Sequence, residues 1–241
     1  MTDSSGRPLV LVTGGTRGIG KAVCDALAPD HTLIVGGRDR AAVEKACAAY
    51  DSARPFVVDL AEEDSTTDAV AALGLDRLDG VVHSAGLGGG ARTEESSRAL
   101  WREILEVNVI AVSDLTRLLL PALVAAQGTV VTINSGSGLR AGGAGGHYPA
   151  SKFALTALSD VLREELRPDG VRVCSVHPGR VDTDMQRELV ASEGRPYDPK
   201  EFLRPESVAT AVRTALTAGP DATYETISIR PGPAATNRRR D

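Results

Sequence analysis

The chain has few of the residues that build metal centres or disulfide frameworks. Its 241 residues include only three cysteines and four histidines. The cysteines lie far apart, and the histidines lack the spacing of metal ligands. We therefore expect free thiols, no metal site and a reducing compartment, with Cys174 in the core of a strand.

Excess positive charge is also missing. The 27 Lys and Arg residues are outnumbered by 32 Asp and Glu, which gives a formal net charge of −5. Such a chain has no basic field to attract nucleic acid or an anionic membrane. Residues 1–8 are short and polar, and no uninterrupted run of about 20 apolar residues predicts a bilayer span. We expect a cytoplasmic protein with neither nucleic-acid nor membrane partners, and with flexible residues 1–7 and 237–241.

Short apolar segments alternate with longer segments of helical periodicity. Strands separated by helices indicate right-handed crossovers and a parallel sheet, and nearly uniform apolar strands indicate helices on both faces. We predict one α/β domain over residues 1–241, with a doubly wound sheet of about seven parallel strands. The predicted strands are residues 9–12, 32–35, 55–58, 80–83, 129–133, 171–176 and 226–229. The predicted helices are residues 19–27, 40–50, 62–73, 96–126 and 148–166.

One segment after the sixth predicted strand has no clear period. Residues 183–204 are long for a plain connection, and two interpretations stay open. The segment is either a mobile lid over the substrate or an ordinary surface excursion.

A glycine-rich turn joins the first predicted strand to the first predicted helix. The residues read Thr-Gly-Gly-Thr-Arg-Gly-Ile-Gly at positions 13–20. Glycine lets the backbone approach a pyrophosphate closely, and the free N–H groups at a helix start attract its oxygens. This context predicts a Rossmann-like dinucleotide site. Its predicted contacts are Gly14, Thr16, Arg17, Gly18, Ile19 and Gly20.

The residues after the second strand favour NADP(H) over NAD(H). Sites for NAD usually present an acid to the ribose about 20 residues beyond the glycines, whereas this chain has Arg38 there. A guanidinium binds a 2′-phosphate that a carboxylate would repel, and Arg17 could reach the same group. Asp39 either pairs with an arginine or faces the ribose. Asp59, followed by Leu60, either accepts a hydrogen bond from the adenine or caps a helix.

A tyrosine and a lysine four residues apart indicate acid/base chemistry. Tyr148 and Lys152 fall on one face of a predicted helix. An ammonium beside a phenol lowers the pKa of the phenol toward neutrality, as proton transfer near pH 7 requires. Ser135, at the end of the fifth strand, is placed to hold the substrate oxygen, with Ser137 as a weaker candidate. His147 is expected to be a loop residue with solvent partners.

These motifs resemble those of the short-chain dehydrogenase/reductase family over nearly the whole chain. In that family the tyrosine exchanges the proton, the lysine tunes it and binds the nicotinamide ribose, and the serine orients the carbonyl oxygen. The resemblance implies these roles for Tyr148, Lys152 and Ser135, and a proton-relay role for Asn108. It also implies cofactor contacts by Tyr148, Lys152, Ser84, Ala85, Gly86, Pro178, Gly179, Val181 and Thr183.

One position departs from the family pattern. The family usually has Asn-Asn-Ala-Gly after the fourth strand, whereas this chain has His83 and Ser84 before Ala85 and Gly86. The contacts that brace the central strands must therefore come from other residues.

The combined motifs predict an NADPH-dependent ketone or aldehyde reductase, with a small carbonyl or alcohol compound as its substrate. The alternatives are an NAD(P)⁺-dependent alcohol dehydrogenase of the same fold and a non-catalytic dinucleotide sensor. The resemblance also implies a homo-oligomer, a dimer or a tetramer, formed through the long helices.

Overall fold

A computed structural model describes residues 6–142 and 145–232 of the chain. The flexibility expected for residues 237–241 and for most of residues 1–7 concerns positions outside these ranges.

Seven parallel strands form one sheet in the order β3-β2-β1-β4-β5-β6-β7. The doubly wound α/β fold is therefore confirmed. The predicted and observed strand bounds agree closely, although β2 continues to Gly37 and β6 to Pro178. The strands are β1 Leu9–Val12, β2 Thr32–Gly37, β3 Ala53–Val57, β4 Gly80–His83, β5 Thr129–Ile133, β6 Arg172–Pro178 and β7 Thr226–Ile229.

Helices connect the strands and cover both faces of the sheet. They are α1 Gly18–Leu27, α2 Arg40–Cys47, α3 Glu63–Leu73, α4 Arg98–Leu105, α5 Ala111–Ala126, α6 His147–Leu166, α7 Asp184–Ser192 and α8 Pro205–Leu216. The single helix predicted over residues 96–126 is interrupted by a π-helical segment, Glu106–Ile110, between α4 and α5. Such segments often occur at functional sites.

Two of these helices were not predicted. The interpretation of residues 183–204 as aperiodic is wrong for α7, which Thr183 caps by accepting a hydrogen bond from the Gln186 N–H. Its short length and only two buried residues, Gln186 and Val190, give a weak periodic signal. Helix α8 begins with Pro205 in its first turn, where the missing N–H costs nothing. A lid role for residues 183–204 stays a prediction.

The side chains of alternating strand residues pack into two hydrophobic cores, one on each face of the sheet. On one face Val10, Val12 and Leu33 pack with α1 and α8. On the other face Leu9 and Leu11 pack with residues of α5 and α6. Both faces of each central strand are thus buried, which explains the nearly continuous apolar runs in the sequence.

The helical stretch Arg98–Ala126 meets the length and hydropathy criteria for a membrane span. The expectation that no segment would meet them is therefore wrong. The prediction counted uninterrupted apolar residues, whereas this stretch contains scattered charges. In the fold, Leu115, Leu119 and Leu123 of α5 are buried against the sheet. A helix that packs on a sheet passes the same test, so the stretch is weak evidence for a membrane span.

The order of the sheet determines where a ligand can bind. The chain winds from β1 to β2 and β3 in one direction, then returns to β4 on the other side of β1. The connections after β1 and β4 therefore diverge and leave a crevice at the carboxyl ends of these strands.

Candidate active site

A cavity of about 640 Å³ opens at this crevice. It is bordered by the glycine turn, by the carboxyl ends of β2 and β4 and by the start of α7. Thirteen of the predicted cofactor contacts line it: Gly14, Thr16, Arg17, Gly18, Ile19, Gly20, Arg38, Asp59, Leu60, Ser84, Ala85, Gly86 and Thr183.

The glycines are required by close backbone contacts in the turn. A Cβ added to Gly14 would lie 3.0 Å from the Cα of Ala85, and the φ of Gly14 is +62°. A Cβ on Gly20 would overlap the carbonyl oxygen of Gly14. The turn is consequently packed against β4 and α1 with bare backbone facing the cavity. This arrangement suits a pyrophosphate, which must approach N–H groups at the start of α1.

Two arginines line the cavity. Arg38 directly follows β2, whereas Arg17 lies in the glycine turn and makes an exposed ion pair with Asp184 of α7 at 3.7 Å. The carboxylate of Asp39 accepts a hydrogen bond from the Ala42 N–H and so caps α2. Of the two roles considered for Asp39, no ion pair with an arginine occurs among the described residues, whereas Asp39 does line the cavity in which a ribose would bind.

Asp59 also lines the cavity, but it does not cap a helix. Its Oδ1 accepts a hydrogen bond from the Ala61 N–H at 3.1 Å, while Glu62 precedes the first turn of α3. The helix-cap alternative is therefore wrong, because α3 begins later than the position of Asp59 requires.

The structure brings Tyr148, Lys152 and Ser135 together at the end of β5. The Ser135 hydroxyl lies close enough to the Tyr148 hydroxyl to lower its pKa, and it accepts a hydrogen bond from the Ser137 N–H at 3.1 Å. Lys152 Nζ lies 5.8 Å from the centre of the Tyr148 ring. Ser135, rather than Ser137, faces the tyrosine.

The ammonium of Lys152 is buried with a single acceptor among the described residues. It donates to the carbonyl oxygen of Ile133 at 3.0 Å, and only 5% of the residue is exposed. Burial lowers the pKa of Lys152 to about 8, because a low-dielectric environment disfavours the charged form. Its remaining donors are suited to ribose hydroxyl groups.

The pKa of Tyr148 differs from the expectation. Burial raises it above the ordinary value of 10.0, and the hydrogen bond from Ser135 partly opposes that rise. The predicted lowering is therefore wrong for the protein without cofactor. The reason is that Lys152 lies beside the ring rather than against the hydroxyl, and desolvation is the larger effect.

Asn108 lies in the π-helical segment and is almost fully buried. Its Nδ2 donates to Leu87 O at 2.9 Å and to Ser151 Oγ at 3.0 Å, while its Oδ1 accepts from Leu87 N at 2.8 Å. A Cβ on Gly86 would lie 3.2 Å from Asn108 Oδ1 and 3.9 Å from Lys152 Nζ. The hydrogen bonds of Asn108 thus hold the loop after β4 next to Lys152.

His83 supplies part of the bracing that the family assigns to asparagine. Its Nε2 lies 2.9 Å from Thr116 Oγ1, whose single proton goes to Val112 O. His83 is therefore the donor through Nε2, and in the neutral ring this is the tautomer with the proton on Nε2. Burial lowers the pKa of His83 to about 4, in agreement with this state. The contact ties β4 to α5.

Thr13 supplies the rest of the bracing. Its Oγ1 accepts hydrogen bonds from the N–H groups of Ser84 and Ala85, both at 3.0 Å. These bonds tie the end of β1 to the end of β4, directly beneath the cavity.

Five predicted cofactor contacts lie outside the cavity. Tyr148 and Lys152 are at the end of β5, as described above. Pro178 ends β6, Gly179 donates its N–H to Ile229 O, and Val181 is buried in a bridge to Leu203. This segment leads directly into Thr183, which does line the cavity.

Two histidines have roles that the sequence did not indicate. His147 is fully buried at the start of α6, 3.1 Å from Ser96 Oγ and edge-on to Trp101. The expected solvent partners are therefore wrong, because α6 begins one residue earlier and Trp101 covers the ring. His177 Nδ1 donates to the carbonyl oxygen of Ser135 at 3.0 Å. Only the register of β6 against β5, which the sequence does not reveal, could have predicted that contact.

The chain is similar in sequence and fold to known proteins. A family model described as short chain dehydrogenase matches residues 8–194. Dehydrogenase/reductase SDR family member 11 of Bos taurus is 32% identical over 243 residues, covering 92% of this chain and 95% of that protein. The chain belongs to the short-chain dehydrogenase/reductase family.

Solved structures of this family confirm the fold. An alcohol dehydrogenase from the archaeon Thermococcus sibiricus, complexed with 5-hydroxy-NADP, has 29% identity and a TM-score of 0.84, covering 93% of this chain and 97% of that one. A 3-oxoacyl-[acyl-carrier protein] reductase from Brucella melitensis with bound NAD has 27% identity and a TM-score of 0.82, covering 95% and 92%. As a short-chain dehydrogenase/reductase, the protein is an NAD(P)-dependent oxidoreductase with a nicotinamide dinucleotide cofactor.

The burial of Lys152 makes the stability of the cofactor-free protein depend on pH. The pKa of Lys152 is lowered from 10.5 to about 8 on folding, so the unfolded state binds more protons between these values and wild-type stability rises with pH there. Lys152→Met should therefore be more stable than the wild type at pH ~7, by on the order of 1–3 kcal/mol. This advantage should shrink as the pH rises to about 10.

Urea denaturation at a series of pH values measures this difference. The matched control is Lys45→Met, which removes an exposed lysine of α2 and should leave the pH dependence unchanged. A Lys152→Met protein that is less stable than the wild type at every pH would contradict the assigned cost of burying the ammonium.

Proposed function

We propose that the protein is an NADPH-dependent reductase of ketones or aldehydes. The observation that carries this proposal is the buried ammonium of Lys152, 5.8 Å from the centre of the Tyr148 ring, with the Ser135 hydroxyl close to the phenol at the carboxyl edge of the sheet.

These residues have the donors that carbonyl reduction needs. The cofactor, when bound, supplies the hydride. The Tyr148 hydroxyl donates its proton to the carbonyl oxygen, and the Ser135 hydroxyl donates a hydrogen bond to the same oxygen as negative charge develops there. Lys152 holds positive charge beside the phenol, which favours the phenolate that proton transfer leaves. Asn108 holds the adjoining loop and provides the start of a proton relay.

The choice of NADP(H) rests on the guanidinium of Arg38, which follows β2 and lines the cavity. A 2′-phosphate on the adenosine ribose would pair with this positive charge, and Arg17 of the glycine turn is a second candidate partner. The acid that usually binds the ribose hydroxyls of NAD(H) is replaced by Arg38 at this position, while Asp39 uses Oδ1 to cap α2.

Oxidation of an alcohol with NADP⁺ is the reverse of this reaction and uses the same residues. The structural relative from Thermococcus is named an alcohol dehydrogenase. Alcohol oxidation is therefore the second candidate function. In that direction the Tyr148 phenolate accepts the hydroxyl proton of the substrate.

We also propose a cytoplasmic homo-oligomer, a dimer or a tetramer. Three large apolar side chains on the long helices, Ile110, Phe153 and Val161, are each about half exposed. Apolar surface of this kind is commonly covered by a second subunit.

Tyr148→Phe should abolish turnover without preventing cofactor binding. Removal of the proton donor should lower kcat for ketone reduction about 10³-fold or more, because no other hydroxyl occupies its position. NADPH absorbance follows the reaction with a panel of ketones, aldehydes and quinones, and fluorescence titration measures NADPH binding. Tyr50→Phe, which removes a hydroxyl bonded to Asp25 at 2.8 Å, is the control. Unchanged turnover in Tyr148→Phe would refute the role.

Arg38→Gln should reduce the preference for NADPH over NADH. The wild type should have a kcat/KM for NADPH at least about tenfold above that for NADH, and the substitution should lower the NADPH value about 10- to 100-fold, mainly through KM. Arg40→Gln removes a neighbouring exposed arginine that pairs with Glu44 and should have little effect. A wild-type preference for NADH would overturn the choice of cofactor.

A further inference from the structure

One arginine near the site has no place in the proposed chemistry. Arg230 directly follows β7 and is exposed at the carboxyl edge of the sheet. Its Nη1 donates to the carbonyl oxygens of His177 at 2.6 Å and Ile229 at 2.9 Å. The guanidinium is thus held in position by backbone acceptors, which carry no negative charge to neutralise it.

The free side of this guanidinium faces the strand end that carries Ser135. A Cβ added to Gly136 would lie 3.2 Å from Arg230 Nη2, so Arg230 lies against the residue next to Ser135. Because Gly136 has no side chain, the guanidinium can lie directly against the backbone that follows Ser135. His177 links the two through its carbonyl oxygen and its Nδ1.

Two other charges act on His177 beside that of Arg230, the ammonium of Lys152 and the carboxylate of Asp160. Burial lowers the pKa of His177, and the charges of Arg230 and Lys152 lower it further. Arg180, Arg187 and Arg195, which also follow β6, each make an ion pair with a carboxylate at 2.8 Å. The described residues provide no such partner for Arg230.

The phosphates of the cofactor are too distant to be that partner. Strand β7 is four positions from β1 in the sheet, and neighbouring strands are about 4.8 Å apart, so the glycine turn lies roughly 19 Å from Arg230. The 2′-phosphate site at Arg38 lies farther still, because β2 is on the other side of β1. The cofactor phosphates are therefore not the anion that Arg230 would bind.

We propose that Arg230 is a specificity-determining residue that binds a carboxylate on the substrate. The preferred substrates are then carbonyl compounds in which a carboxylate lies several bonds from the reacting carbon. The fork of a guanidinium matches a carboxylate in geometry and charge. This inference rests on the proposed function, because Ser135 must hold the carbonyl oxygen for the carboxylate to reach Arg230.

A pair of isosteric ligands tests the proposal by binding and by turnover. The probes are 3-acetylbenzoate and its neutral analogue 3-acetylbenzamide, titrated by calorimetry into enzyme saturated with NADP⁺ and assayed as substrates with NADPH. The variants are Arg230→Gln, which keeps amide donors for the backbone acceptors, and Arg230→Lys, which keeps the charge. Arg167→Gln is the control for net charge, since Arg167 follows α6 at the opposite edge of the sheet.

The wild type and Arg167→Gln should bind the carboxylate at least about tenfold more tightly than the amide, as expected for a charge-assisted contact. In Arg230→Gln the ratio should fall to about one, while the amide binds as in the wild type. Arg230→Lys should retain part of the preference for the carboxylate over the amide, because lysine keeps the positive charge but lacks the two-pronged geometry of the guanidinium.

Two results would overturn the proposal. One is a wild-type enzyme that does not bind the carboxylate more tightly than the amide. The other is an Arg230→Gln variant that binds both ligands equally more weakly, because Arg230 would then only stabilise the ends of β6 and β7. Reduction of both probes with equal efficiency would leave the reductase function standing and remove only the role of Arg230. Failure of the proposed reductase function would give a different result, because Tyr148→Phe would then turn over ketones as fast as the wild type.

Discussion

The buried ammonium of Lys152 is the interaction on which the site depends. A cation in the interior costs free energy unless it is paired, yet the described residues give Lys152 only the carbonyl oxygen of Ile133. This cost is offset by the apolar core that holds β5 and α6 together. The result is positive charge held beside a phenol, with donors left for a ligand.

The rest of the fold keeps this arrangement at the crevice. Thr13 ties β1 to β4 beneath the cavity, and His83 ties β4 to α5. Asn108, in the π-helical segment, holds the loop after β4 beside Lys152. Each bond joins elements distant in sequence, so the cofactor cavity and the acid/base residues share one rigid frame.

The sequence predicted the sheet and the chemistry because both follow from local patterns. Apolar runs locate the strands, and the spacing of Tyr148 and Lys152 on α6 follows from helical periodicity. Features that depend on packing between distant segments were not predicted. Trp101 buries His147, the register of β6 carries His177 to Ser135, and desolvation raises the pKa of Tyr148. Helix α7 was missed because only Gln186 and Val190 are buried in it.

Transfer of isotope from the cofactor is the most direct test of the central claim. NADPH that carries deuterium on the transferable position of its nicotinamide is incubated with the preferred ketone, and the product is analysed by mass spectrometry. The account predicts one deuterium on the carbinol carbon of the product with the wild type, and almost none with Tyr148→Phe. Cofactor oxidation without labelled alcohol, or equal labelling by both proteins, would contradict it.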